Sequence, residues 1–135
     1  MANAIYPKAK ESFLSQNPSI DMDTDTIKVA MVTSAYTYSS AHQYYSSVSG
    51  VVGTPATLGS KTVTSGVFDA ADVTFSSVAS GSTVAALVIY KDTGSAATSP
   101  LVAYIDTVSS GLPVSTNGGD IIITWDNGAS KIFAL

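Results

Sequence analysis

Ile121-Ile122-Ile123-Thr124-Trp125, then Asp126-Asn127-Gly128, then Lys131-Ile132-Phe133-Ala134-Leu135: the chain ends with an Asn-Gly step set between two β-prone apolar runs. Asn and Gly tolerate the positive φ of a tight turn, so this spacing predicts a hairpin that closes the chain inside its own sheet. Ile121, Ile123 and Trp125 alternate in phase on one strand face. That phase favours burial of the indole over its exposure as a sugar-stacking platform.

Working back from that hairpin, Thr83 to Tyr90 is apolar on both faces, the pattern of a central strand covered on either side. The loop from Asp92-Thr93-Gly94 to Pro100 joins it to Leu101–Asp106, which predicts a second hairpin. Short strands are expected at Lys61–Thr64 and Val73–Ser76, with Val73 and Phe75 pointing inward and turn signals at Gly66 and from Asp69 to Asp72. Ile27–Thr33 reads as a strand with Ile27, Val29 and Met31 on one face. Pro7 suits a first helical turn, and Tyr6, Phe13 and Leu14 fall on one side of a helical segment over about residues 4–16 that Asn17-Pro18 stops. Between about residues 34 and 60 the pattern dissolves into Ser, Tyr, Gly and Thr, which predicts a long loop. Seven or eight short strands with one leading helix predict a single all-β domain over 1–135, an antiparallel jelly-roll-like β-sandwich.

Composition narrows what such a domain does. Charged residues make up 12% of the 135 residues, against about 25% in typical soluble domains, and Ser plus Thr supply roughly a quarter of the chain. A surface that neutral suits a subunit covering part of itself with other subunits, or a monomeric extracellular β domain. All six basic residues are Lys and the net charge is −4. Nucleic-acid binding needs clustered cations, and the one close pair is Lys8 with Lys10, so neither nucleic acid nor an anionic membrane is an expected partner. Cysteine is absent, which removes disulfides and thiolate metal sites. The N-terminus lacks the apolar stretch of a signal peptide and Val84–Tyr90 is too short to cross a bilayer, so synthesis in the cytoplasm as a soluble chain is expected.

Catalytic patterns fail on spacing. Asp21-Met22-Asp23-Thr24-Asp25 imitates the start of a calcium loop, but Thr26 stands where the turn requires Gly, and Val32 where the bidentate Glu belongs. A looser divalent-cation site or a solvated helix-to-strand turn remains. His42 is the sole histidine and Glu11 the sole glutamate. No Gly-x-Ser-x-Gly elbow, phosphate loop or dinucleotide fingerprint occurs, so neither an enzyme nor a bound cofactor is expected. Tyr36, Tyr38, Tyr44 and Tyr45 crowd one loop. Tyrosine gives rigid contact area at low entropy cost, so the four either form a partner-binding loop or pin that loop onto the sheet.

The opening Ala2-Asn3-Ala4-Ile5-Tyr6-Pro7-Lys8-Ala9-Lys10-Glu11, the strand Ile27-Lys28-Val29-Ala30, and the closing Asn117-Gly118-Gly119-Asp120-Ile121 with Trp125-Asp126-Asn127-Gly128-Ala129-Ser130-Lys131-Ile132-Phe133 together resemble small virion structural proteins of tailed bacteriophages. Ser60-Lys61-Thr62-Val63-Thr64, Phe68-Asp69-Ala70-Ala71-Asp72-Val73-Thr74-Phe75 and Leu87-Val88-Ile89-Tyr90-Lys91-Asp92-Thr93-Gly94 extend the likeness over nearly the whole chain. The motifs are specific as a set, and no single one identifies the family. The resemblance implies a capsid cement, or decoration, protein: made in the host bacterial cytoplasm, bound to the outer face of the head, partnered by the major capsid protein of the same phage, and self-associating as a dimer or trimer. It carries over no catalytic residue, and it also admits a neck, tail or fibre position; a carbohydrate- or receptor-binding module is the rival from another class. An acidic, Arg-free domain is repelled by packaged DNA, in keeping with the outside of a shell. The residues expected to make contacts are Ile5, Tyr6, Phe13 and Leu14 of the N-terminal segment and Tyr36, Tyr38, Tyr44 and Tyr45 of the loop.

Overall fold

The computed structural model describes residues 3–106, 112–125 and 131–134. At its centre lies the run read as apolar on both faces. There β8 (Ala86–Lys91) pairs antiparallel with β2 (Ile27–Val32) on one side and β9 (Leu101–Ile105) on the other. The edges are β1 (Ala4–Ile5) and β3 (Val51–Thr57), giving a five-stranded sheet in the order β1-β9-β8-β2-β3.

Alternation along these strands builds two cores, because successive side chains leave a strand on opposite faces. Ile27, Val29, Met31, Leu87 and Ile89 enter one core; Ala30, Val32, Ala86, Val88 and Tyr90 enter the other. In β9 a bulge breaks the alternation. Ile89 lies opposite Ala103 and Tyr90 opposite Leu101, so Val102 is the extra residue. Val102 and Ala103 both join the first core, while Leu101 and Tyr104 stay with the second.

The first core is closed by a second layer of small antiparallel sheets. These are β4 (Thr62–Thr64) with β5 (Val67–Asp69) and β12 (Phe133–Ala134), β6 (Val73–Phe75) with β11 (Ile121–Ile123), and β7 (Thr83–Val84) with β10 (Val114–Ser115). They contribute Phe68, Phe133, Val73, Phe75, Ile123 and Trp125 to it. The second core is covered by α1 (Pro7–Ser15), the residue Tyr6 before it, and the tyrosine-rich loop. The protein is thus mainly β and antiparallel, sandwich-like, with one helix.

Four expectations are corrected in detail. The two runs of the predicted terminal hairpin do not pair with each other among the described residues: Ile121–Ile123 pairs with Val73–Phe75, and Phe133–Ala134 with Val67–Asp69. The Asn127-Gly128 step lies outside the described residues. A turn signal predicts reversal of the chain and does not fix which strand each run pairs with.

The segment about 4–16 is not one helix. Ala4 and Ile5 pair with Tyr104 and Ala103, and helix begins at Pro7, whose fixed φ suits a first turn. Tyr6 therefore precedes the helix rather than lining it, and Leu14 points to solvent, 89% exposed. The helix stops with Gln16 in the left-handed region and its N–H on the Ser12 carbonyl at 2.8 Å.

The loop about 34–60 contains β3. Pro55 is accommodated because β3 is an edge strand, where the N–H that proline lacks has no ladder bond to make. Val29 faces Ala56 and Met31 faces Val52, so Gly53, Thr54 and Pro55 bulge outward opposite Ala30. Similarly, the run from Thr83 is divided: Thr83–Val84 pairs with Val114–Ser115, and the chain changes sheet at Ala85, whose N–H reaches the Val32 carbonyl at 2.9 Å. β5, which starts between the expected turn signals at Gly66 and Asp69, forms a two-residue hairpin with β4 around Ser65 and Gly66, both at positive φ (51° and 78°).

Gly50, ahead of β3, is required by both conformation and space. Its φ is +66°, and a Cβ there would stand 2.7 Å from Thr33 Oγ1 and 3.2 Å from the Ala35 Cβ. Gly50→Ala is expected to destabilise the fold by about 1–3 kcal/mol. Gly59→Ala, at a position with nothing within 4 Å of the new methyl, should stay within about 0.5 kcal/mol of wild type. Paired denaturant melts check this; equal midpoints for the two variants would contradict the geometry at Gly50.

Candidate functional site

Two regions gather the residues singled out from the sequence, and they have different physical characters. The first is the tyrosine face of the five-stranded sheet. Tyr6 is fully buried and shares a 2.6 Å hydrogen bond with the Tyr36 hydroxyl, which also meets His42 Nδ1 at 2.9 Å. Tyr38 sits with its ring centroid 4.9 Å from Tyr6 and 5.6 Å from Tyr104. Tyr45 stacks on Tyr90 at 4.0 Å with rings 12° from parallel. Tyr44 bridges to Pro100, and the Tyr45 N–H donates to the Ser99 carbonyl at 2.8 Å.

These contacts favour pinning. Tyr36 is buried and Tyr38, Tyr44 and Tyr45 are half-buried, so the loop is tied to the sheet by its aromatics. Neither Tyr6 nor Tyr36 presents contact area to a partner from this fold. Burial raises the phenol pKa values of Tyr6, Tyr36, Tyr45, Tyr90 and Tyr104, with the Tyr36 hydrogen bond a further cause at Tyr6. His42 is engaged with Tyr36 through Nδ1 and gives its backbone N–H to the Ser39 carbonyl. Trp125 is buried, its indole N–H on the Ala71 carbonyl at 3.1 Å and its backbone N–H on Asp72 Oδ1 at 3.1 Å, so the sole tryptophan is no sugar platform.

The second region is a run of three contiguous clefts beside α1 and β12. One of about 600 Å³ lies between the β1 edge and β12 and is lined by Ile5, Lys10, Lys131 and Phe133 among others. The next, about 360 Å³, is almost wholly apolar, formed by Ile5, Phe13, Leu14 and Ala134 with the Lys10 stem. The third, about 390 Å³, shares Phe13 and continues past Phe68 and Phe133 to Asp21 and Asp23. Ile5, Phe13 and Leu14, separated in sequence by the buried Tyr6 and Ala9, come together here because β1 and α1 run along the same edge of the sandwich. Sequence reasoning missed Lys131 and Ala134, which reach the clefts through the pairing of Phe133–Ala134 with Val67–Asp69.

Charge is unevenly spread along this run. Lys8 pairs with Glu11, Lys28 with Asp92 and Lys91 with Asp25 at 3.0–3.2 Å, and Lys61 donates to the Asp25 carbonyl. Lys10 and Lys131 have no ion pair or side-chain hydrogen bond among the described residues, and both line the same cleft. At the other end the neighbouring carboxyl groups of Asp21 and Asp23 act on each other, which holds the pKa of Asp21 down and pushes that of Asp23 up. The Asp25 carboxylate is turned away to the Asp21 N–H at 2.8 Å and to Lys91. No group of three or more ligating side chains able to hold a metal ion occurs among the described residues. Nor is any helix among them long and apolar enough to cross a membrane.

Compared with family models, curated proteins and solved structures, the chain matches none.

Proposed function

We propose that the protein is a capsid cement protein of a tailed bacteriophage, binding the outer face of the head and stabilising its lattice by bridging major capsid protein subunits. The observation that carries this reading is the exposed apolar edge beside α1. Leu14 stands 89% exposed beside Ile5 and Phe13 on a body whose central sheet is buried on both faces. A charge-poor body with a well-filled core and an exposed apolar edge suits a lattice clamp. The sequence likeness to small virion proteins supplies the class of partner.

Cementing works by linkage: a subunit that binds the assembled lattice and not its dissociated parts stabilises the lattice in proportion to its occupancy. Repeated weak contacts around the shell multiply this. The test is quantitative mass spectrometry of purified particles. Copy numbers comparable with the main shell subunit are expected, together with heads that rupture at lower temperature when the protein is stripped off. A handful of copies per particle would favour a neck, tail or fibre position, and absence from particles would overturn the reading.

A further inference from the structure

We propose that Tyr45 and Tyr90 form an oxidative modification site, at which a one-electron oxidant joins the two rings into an intramolecular dityrosine and so fastens the tyrosine-rich loop to the central strand. Their rings stack with centroids 4.0 Å apart and planes 12° from parallel. The other tyrosine pairs lack that geometry: Tyr6 with Tyr38, Tyr38 with Tyr104 and Tyr36 with Tyr104 stand 4.9–6.2 Å apart and are tilted by 39–53°. All seven tyrosines lie among the described residues, so the comparison covers every one. Burial also differs within the pair. Tyr90 is buried on β8, whereas Tyr45 is half-buried at the start of a short turn over Tyr45–Ser47. A soluble oxidant has access to Tyr45, and Tyr90 lies behind it in van der Waals contact.

Each phenol gives one electron to the oxidant and its hydroxyl proton to water, leaving a phenoxyl radical whose unpaired electron is shared with the carbons ortho to the oxygen. The two radicals couple by forming one C–C bond between ortho carbons. The hydrogen on each of those carbons then returns to the oxygen, which restores both phenols. Two electrons go to two equivalents of oxidant, two protons go to water, and the chain is lighter by two hydrogen atoms. In solution such coupling waits on the encounter of two short-lived radicals. Here the fold holds the partners in contact before either is oxidised, so a pivot of the Tyr45 ring against Tyr90 replaces the encounter. The two hydroxyl groups act on each other's ionisation, which places the oxygen ends, and with them the ortho carbons, on the same side of the stack. The link ties the loop to β8 across a long stretch of chain, and a crosslink of that kind restricts the unfolded state more than the folded one. The site uses none of Ile5, Phe13 and Leu14, and it stands independently of whether the protein sits on a shell.

Illumination of the dilute whole chain with tris(bipyridyl)ruthenium and persulfate, which together generate a one-electron oxidant, tests the site. The expected product is a single chain lighter by two hydrogen atoms, with dityrosine emission and a link that peptide fragmentation places between Tyr45 and Tyr90. Tyr45→Phe keeps an aromatic ring in the stack and removes the hydroxyl that is oxidised, so it should lower the yield of linked single chains about tenfold or more. Tyr38→Phe should leave that yield unchanged. Oxidation in denaturing urea should lose the preference for this pair, because the proximity belongs to the fold. The linked chain should also unfold at a higher urea concentration than the unlinked one. Far-UV dichroism verifies that both variants are folded. Dityrosine formed only between chains, a link chiefly at another tyrosine pair, or a yield untouched by Tyr45→Phe would overturn the proposal. Particle copy number is measured separately, so the cement reading and the modification site stand or fall on different results.

Discussion

Tyr6→Ala is expected to cost about 3–5 kcal/mol of folding stability, the usual range for removing a wholly buried aromatic side chain. Tyr6 is 0% exposed. Its ring fills the second core next to Tyr38, and its hydroxyl meets Tyr36 at 2.6 Å. Its backbone holds β9 and α1 together, the N–H on the Val102 carbonyl and the carbonyl accepting from the N–H groups of Ala9 and Lys10. The mutation leaves those backbone bonds possible, so the loss should be that of the ring and its cavity. Tyr6→Phe should cost only about 1 kcal/mol, because the Tyr36 hydroxyl keeps His42 as a partner.

Urea unfolding followed by Trp125 fluorescence and by far-UV dichroism measures both variants. Trp125 belongs to the first core and Tyr6 to the second, so coincident transitions would also establish that the two cores unfold together. A Tyr6→Ala loss below about 1 kcal/mol would mean that the second core is not closed by this residue. Removing residues 1–16 is a poor way to probe the exposed apolar edge for the same reason: it takes away β1 and Tyr6 along with Leu14. Leu14→Asp alters the edge and leaves the core intact.

Alkaline pH should unfold the protein steeply. Tyr6 and Tyr90 are buried, and burial is the first cause that lifts both phenols above their ordinary value of 10.0; at Tyr90 the neighbouring Tyr45 and Asp92 add to it. Below about pH 10 these groups are neutral in both the folded and unfolded chain, and the stability they support is fully present. Above that point the unfolded chain sheds protons that the folded chain keeps, so stability falls by about 1.4 kcal/mol per pH unit for each tyrosine until the folded pKa is passed. Two such groups give a slope of about 3 kcal/mol per pH unit, enough to exhaust the stability of an ordinary domain within a few units. Phenolate absorbance should therefore rise together with the loss of β dichroism, and Tyr90→Phe should reduce the slope by about 1.4 kcal/mol per pH unit, with Tyr36, Tyr45 and Tyr104, also raised by burial, still contributing. A phenolate titration with its midpoint near pH 10 and the fold intact would contradict the burial of these side chains.

Much of the framework was legible because it rests on short-range periodicity. The alternation of Ile27, Val29 and Met31, the inward Val73 and Phe75, and the phase of Trp125 with Ile121 and Ile123 each depend on a single strand having an inside and an outside. The two-faced apolar run around Leu87–Ile89 was legible as central for a related reason: a strand with no polar face must be covered twice. The exposed apolar edge was only half legible. Ile5, Phe13 and Leu14 could be picked out as apolar residues near a helix, but Tyr6 looked the same in sequence and is buried. The loop tyrosines also looked like contact residues, and the fold spends several of them on holding the loop down.

The residue pattern by itself determined that the chain is mainly β with one leading helix, that its charge is sparse and acidic, and that no familiar catalytic spacing is present. These follow from side-chain chemistry and from periods of two and 3.6 residues, which act over a few residues. Tertiary structure alone decided which strand each described run pairs with: β11 pairs with β6 and β12 with β5, and a bulge at Val102 set the side-chain phase of β9. It alone also brought Lys131 and Ala134 beside Lys10 and Leu14. Pairing is a competition among all available edges for buried apolar area and satisfied hydrogen bonds. Such a competition is settled by the whole chain at once, and no local stretch records its result.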